Sequence, residues 1–175
     1  MEEYHDHNII LIEQKLRGKL FKTKYNKRFM KFKIYSSWWS NCKDKRLSYR
    51  RFLQIAWILE ESPTILLSEE NSEEEIEKFL ELCDSGEKIT MFIKITKNVL
   101  RNIFKEKKLK KTTFLQNIVD ERLDISRKTI TRVLNQEEYL EFSLKTFLII
   151  LEGLKLEYSE FFKKIYEVMT NESYN

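Results

Sequence analysis

The chain has 175 residues, 42% of them hydrophobic, with only 3 Gly and 1 Pro. That length holds one ordinary domain or two small ones, and so few turn residues argue against all-β folds and against α/β folds built on glycine-rich phosphate loops. The net charge of +4 is too small to name a partner by itself.

The N-terminal stretch MEEYHDHNIILIEQK opens acidic and lacks the long apolar region of a secretory signal. No run reaches the ~18 apolar residues of a membrane span. Cys42 and Cys83 are too isolated for a disulfide framework and read as reduced thiols. The expectation is a cytoplasmic, all-α chain.

Ile9, Ile12 and Leu16 share one helical face, and Gly18 offers a C-cap. Residues 20–30 predict a short helix with Tyr25, Phe29 and Met30 inward, and residues 34–42 another that carries Tyr35, Trp38 and Trp39. Ser48 caps a stronger helix, Tyr49 to Glu60, whose inward side is Phe52, Leu53, Ile55, Ala56 and Leu59; Pro63 marks its end. The acidic run SEENSEEE (68–75) is the best linker candidate. Within it, Ser72 and Glu75 form a capping box for a helix through Ile76, Phe79, Leu80 and Cys83, which Ser85-Gly86 ends.

From Ile89 the apolar spacing favours a long helix to about Lys108, although the β-branched run ITMFIKIT would also suit a strand. Phe114, Leu115, Ile118 and Val119 define the next helix. Ser126 caps one with Ile130, Val133 and Leu134 inward, and Ser143 caps Leu144 to Leu154. Phe161, Phe162, Ile165 and Tyr166 make a last amphipathic helix.

Charge follows this order. Residues 1–58 carry 14 Lys/Arg against 5 Asp/Glu, residues 59–88 carry 2 against 11, residues 89–135 carry 12 against 4, and residues 136–175 carry 4 against 8. Basic charge gathered in two blocks is what a phosphate-facing surface needs, although two solvated basic helix faces would give the same counts. The chain also repeats. LSYRRFLQIAWILEESPTILL (47–67) lies over FSLKTFLIILEGLKLEYSEFF (142–162) at an offset of 95 without a gap. Each copy has a capping serine, then Phe-Leu, then a late apolar pair, and the same offset sets Tyr35 and Trp38 on Ile130 and Val133. The chain therefore divides into an N-terminal unit (1–67), an acidic linker with a short helix (68–88) and a C-terminal unit (89–175).

The segment from Lys105 to Phe162, and above all ISRKTITRVLN (125–135), resembles the helix-turn-helix of the lambda-repressor/Cro (XRE) family. Its tail, from Glu141 to Phe162, is also similar to the N-terminal DNA-binding domain of Rgg/PlcR-type regulators. The likeness covers about a third of the chain well and residues 9–67 weakly. The segment between Ile118 and Ile125 is longer than the family's tight turn. The resemblance implies two tandem helix-turn-helix bundles and sequence-specific binding of double-stranded DNA by a transcriptional regulator of repressor type, from a bacterium, phage or mobile element.

The residues suit that chemistry. Ser126 would open a recognition helix where backbone N–H groups favour a phosphate. Arg127, Lys128, Thr129, Thr131 and Arg132 would face outward, and an Arg bidentate to guanine gives ~1–3 kcal/mol of base discrimination. Lys110, Lys111, Thr112 and Thr113 would grip the backbone from the preceding helix. In the first unit, Lys22, Thr23 and Lys24 open its second helix, and Lys31, Lys33, Ser36, Ser37 and Ser40 line its third. Trp38 and Trp39 are adjacent, so one helix face cannot bury both; one fills the core and the other could pack on the linker helix, meet a partner or touch DNA.

Other chemistries find little. His5-Asp6-His7 lacks a third metal ligand nearby, and these are the only two His, which leaves no His-based triad. The acidic run lacks the spacing and central Gly of a calcium loop. No enzyme, metal or cofactor is expected. A protein-binding module is the rival reading, with the Trp38/Trp39 surface docking on a partner, and a homodimer through Tyr158 to Met169 is an alternative to two half-sites read by one chain.

Overall fold

The computed structural model describes residues 10–12, 14–15, 23–33, 47–68, 70, 72–107, 114, 127–136 and 138–172. The chain is all-α, as its turn-poor composition predicts. Eight helices are named here: α1 (Thr23–Lys31), α2 (Tyr49–Leu59), α3 (Pro63–Ser68), α4 (Glu73–Leu82), α5 (Gly86–Glu106), α6 (Arg127–Asn135), α7 (Leu144–Gly153) and α8 (Tyr158–Glu172). Residues 10–12, 14–15 and 114 are helical too.

Serines set four of the starts. Ser48, Ser72, Ser85 and Ser143 accept hydrogen bonds on their hydroxyls from the N–H groups of Arg51, Glu75, Lys88 and Thr146, at 3.1, 3.3, 3.2 and 3.0 Å. Each satisfies one of the four orphan donors at a helix N-terminus. Three of these caps are legible in the sequence. Ser85 differs: rather than ending α4, which stops at the Cys83 cap, it opens α5. Pro63 also differs. Glu60 ends α2 in the left-handed conformation at φ 59°, and Pro63 then begins α3. Proline costs nothing at a first helical position, where its missing N–H has no partner to lose.

The long helix α5 is the hub. It packs on α2, α4, α6 and α8, and ITMFIKIT is helical throughout. Ile89, Phe92, Ile93, Thr96, Leu100, Ile103 and Phe104 are buried along it at three- and four-residue steps. Thr96 fits this face because its hydroxyl turns back to the Phe92 carbonyl at 2.8 Å and also meets the Tyr49 hydroxyl at 3.2 Å. Phe92 touches Phe79, Tyr166 and Phe162, with ring centroids 6.0, 6.0 and 6.4 Å away. Buried residues from Ile12 to Met169 form one hydrophobic cluster that draws on both halves of the chain. The acidic segment contributes Phe79 and Cys83 to it and leaves Glu73, Glu74, Glu77 and Glu81 exposed. Met30 is 67% exposed, against the expectation that it faces inward; Phe32, two residues on, is the buried side chain, and Phe29 packs partly against the core.

The repeat is visible in three dimensions. Ser48 and Ser143 face each other in an isolated antiparallel bridge. The Tyr49 N–H donates to the Phe142 carbonyl at 2.8 Å, and the Leu144 N–H donates to the Leu47 carbonyl at 2.7 Å. The two serines share backbone angles, φ −71° and ψ 151° against φ −76° and ψ 153°. Glu60 and Lys155, also 95 residues apart, both turn left-handed, at φ 59° and 53°. The bonds that close these turns correspond as well: Glu61 N–H to Ala56 carbonyl and Leu156 N–H to Leu151 carbonyl, each 3.1 Å.

Candidate nucleic-acid interface

Helix α6 is polar on one side and apolar on the other. Ile130 and Val133 are fully buried and Leu134 nearly so, while Lys128, Thr131 and Arg132 are exposed and Thr129 is half-buried. The i, i+3, i+4 spacing of 130, 133 and 134 fixes this division, because those three positions fall on one face. Arg127 is the first residue of the helix, and its side chain lies outside the described residues.

Cations from α5 fasten the C-terminal end of α6. Arg101 Nε donates to the Leu134 carbonyl at 2.7 Å. Lys97 Nζ donates to the carbonyls of Gln136 and Tyr139, the latter at 2.6 Å. These carbonyls belong to the helix end and the loop beyond it, where the macrodipole favours positive charge. Lys97 is only 1% exposed, so this member of the basic block 89–135 carries its charge inside the fold rather than on the surface. A third cation of that block, Lys107, sends Nζ to the Leu154 carbonyl at 2.8 Å at the end of α7. Among the described residues of the basic block 89–135, Lys97, Arg101 and Lys107 reach carbonyls, while Lys94, Lys105, Lys128 and Arg132 are exposed.

In the first unit the cations of α1 gather on Trp57, a residue the sequence reading did not single out. Arg28 lies 4.9 Å and Lys31 4.6 Å from the centre of the Trp57 ring. Arg28 also reaches Glu60 at 2.7 Å and the Trp57 carbonyl at 3.2 Å. Phe32 meets the same ring edge-on at 5.4 Å, and the indole N–H donates to the Leu80 carbonyl at 2.9 Å. Lys31 and Lys33 remain exposed at the end of this helix. Thr23 and Lys24 sit in its first turn, with their side chains outside the described residues. Lys22, Ser36, Ser37, Ser40, Trp38 and Trp39, with Lys110, Lys111, Thr112, Thr113 and Ser126, lie outside them altogether.

Elsewhere the described residues offer little chemistry. They contain no group of His, Cys, Asp and Glu that could hold a metal, and none of their helices is long and apolar enough to cross a membrane. Burial pushes the Cys83 thiol and the Tyr49 and Tyr166 phenols well above their ordinary values, which keeps all three neutral. A groove of about 310 Å³ between α4 and α8 is lined by residues that include Glu75, Lys78, Lys163 and Tyr166. Its inner polar groups answer one another, since Thr64 and Tyr166 both donate to Glu75 Oε1, at 2.5 and 3.1 Å.

No family model, characterised protein or solved structure matches the chain.

Proposed function

We propose that the chain is a cytoplasmic, sequence-specific double-stranded DNA-binding regulator of repressor type, which acts by occupying its operator with α6 in the major groove. One observation carries this reading: α6 is clamped to the core by Ile130, Val133 and Leu134 and presents Lys128, Thr131 and Arg132 to solvent. A helix fits the ~12 Å major groove, and Arg and Lys can pair with guanine while Thr can bond any base edge or a phosphate. The anchoring by Lys97 and Arg101 holds the helix still, so little order remains to be gained on binding. The helix-turn-helix resemblance of residues 125–135 supports the same assignment, as does the basic excess of residues 89–135.

Selection of bound duplexes from a random pool tests the reading. An enriched sequence is expected, with affinity falling steeply as salt rises. Arg132→Ala should weaken the enriched site by on the order of 10- to 100-fold with helical content unchanged. A chain that enriches no sequence and shifts no duplex overturns the proposal and favours docking on a protein partner.

A further inference from the structure

The groove between α4 and α8 commits some of its polar groups to the fold and leaves others free. Its floor is fixed from behind. Thr64 is 1% exposed and Tyr166 3% exposed, and both donate to Glu75 Oε1, at 2.5 and 3.1 Å. Two donors on one oxygen hold the carboxylate in one orientation at the groove wall. Its other oxygen, Oε2, has no partner among the described residues and is not buried.

Lys78 and Lys163 line the same groove, one from each helix. Lys78 follows Glu75 by three residues and Lys163 precedes Tyr166 by three. Each cation therefore starts about one helical turn, ~5 Å, from the Glu75–Tyr166 contact. Glu74 and Glu167 complete the charged lining. Glu74 and Lys78 stand four residues apart, as do Lys163 and Glu167, which is the spacing of helical ion pairs. Yet none of these four side chains makes an ion pair or hydrogen bond among the described residues. An isolated surface lysine is simply solvated. Here two of them share a concave wall with an oriented carboxylate.

We infer that this groove binds a small zwitterion, with an ammonium and a carboxylate on one short backbone, as in a free amino acid or a dipeptide. The ammonium bonds Glu75 Oε2, and the carboxylate lies against the ammonium groups of Lys78 and Lys163. Both are charge-assisted bonds, which are stronger than neutral ones. A volume of about 310 Å³ is at the small end of ligand sites, ~300–1,000 Å³, as a ligand of that size requires. A ligand of one charge alone would leave the opposite sign of the lining unanswered. None of these residues belongs to α6, so this site and the DNA-binding reading stand or fall separately.

Titration of the full chain with alanine and with alanyl-alanine, read by amide NMR shifts, tests this and separates the two sizes of ligand. Saturable shifts at Lys78 and Lys163 are expected with at least one of them. Acetylating the amine or amidating the carboxylate of the bound probe should each weaken binding on the order of 10-fold or more. Glu75→Gln keeps an oxygen for Thr64 and Tyr166 and removes the charge that meets the ammonium. It should weaken the free probe to the level of the acetylated one, with the unfolding midpoint near the parent's. Lys78→Ala and Lys163→Ala, on the rim, should together weaken the free probe to the level of the amidated one. Absence of saturable shifts with both probes overturns the inference. So does binding that is indifferent to both blocked ends, or that survives the double lysine change undiminished.

Discussion

The two halves of the chain share a frame and differ in how it is filled. Both build a serine-capped helix, close it with a left-handed residue and start another helix beyond. Around the second copy, cations from α5 and its C-cap Lys107 reach carbonyls at Leu134, Tyr139 and Leu154. Around the first, cations from α1 lie on an indole and on Glu60. The same backbone course is thus held by charge-to-carbonyl bonds around the second copy and, around the first, by cation-to-ring contacts together with the Arg28 bond to the Trp57 carbonyl. The frame is set by backbone hydrogen bonding; the side chains that brace it are free to differ.

The largest effects should come from the aromatic residues that pack on Tyr49 beside the Ser48/Ser143 bridge. Phe52 and Phe147 are counterparts, and both are fully buried. Phe147 meets Tyr49, Phe161 and Phe162, at 4.3, 5.6 and 6.0 Å, whereas Phe52 has Tyr49 at 6.2 Å as its ring neighbour among the described residues. Either change to Ala should cost ~3–5 kcal/mol, with Phe147→Ala the more severe because aromatic pairs add ~0.5–1.5 kcal/mol beyond burial. Urea unfolding of the two variants measures the difference. A larger loss at Phe52 would mean that the first half, not the second, dominates the junction.

Lys97 separates the halves more sharply. Lys97→Met keeps the apolar stem and removes the donor to Gln136 and Tyr139, which should cost ~1–3 kcal/mol. Duplex affinity should fall as well, although Lys97 lies inside the fold, because the loop behind α6 loses its tether. Unchanged affinity beside reduced stability would show that α6 keeps its place without that tether.

Much of this frame was legible in the sequence. The 95-residue offset, the caps at Ser48, Ser72 and Ser143, and the apolar faces of α2, α5, α7 and α8 depend on local chemistry and helical spacing, which a single chain records directly. What depends on partners distant in sequence was not. Lys97 reads as a surface cation until the Gln136 and Tyr139 carbonyls are brought against it, and Trp57 reads as one more helix residue until Arg28 and Lys31 arrive from α1. Met30 was misplaced because Phe29, Met30 and Phe32 cannot all fall on one face, and spacing alone does not say which is left out. For the candidate interface, periodicity separated the buried Ile130 and Val133 from the exposed Lys128, Thr131 and Arg132, but it could not say which other cations were engaged at helix ends.

The caps offer a smaller test in which the halves should agree. Ser48→Ala and Ser143→Ala each remove one bond to a helix N–H, and each should cost ~1 kcal/mol. Ser143 also meets the Thr146 hydroxyl at 2.9 Å, which should make its loss slightly the greater. Thermal unfolding resolves the pair. Costs that differ severalfold would mean that the two copies of the junction are alike in shape and unlike in energy.

The smallest effect has the opposite sign. Glu60 and Lys155 hold left-handed backbone that crowds a Cβ, a conformation costing ~1–2 kcal/mol for an L-residue and little for glycine. Glycine has more freedom to lose on folding, so the net gain from Lys155→Gly should be ~0.5–1 kcal/mol. Glu60→Gly relieves the same strain but also removes the carboxylate that Arg28 meets at 2.7 Å. That pair is partly exposed and worth ~0–1 kcal/mol, enough to cancel most of the gain. Lys155→Gly should therefore raise the unfolding midpoint while Glu60→Gly leaves it nearly unchanged. Equal gains at both positions would show that the Arg28–Glu60 pair contributes nothing, and that Trp57 alone holds α1 against the first copy of the turn.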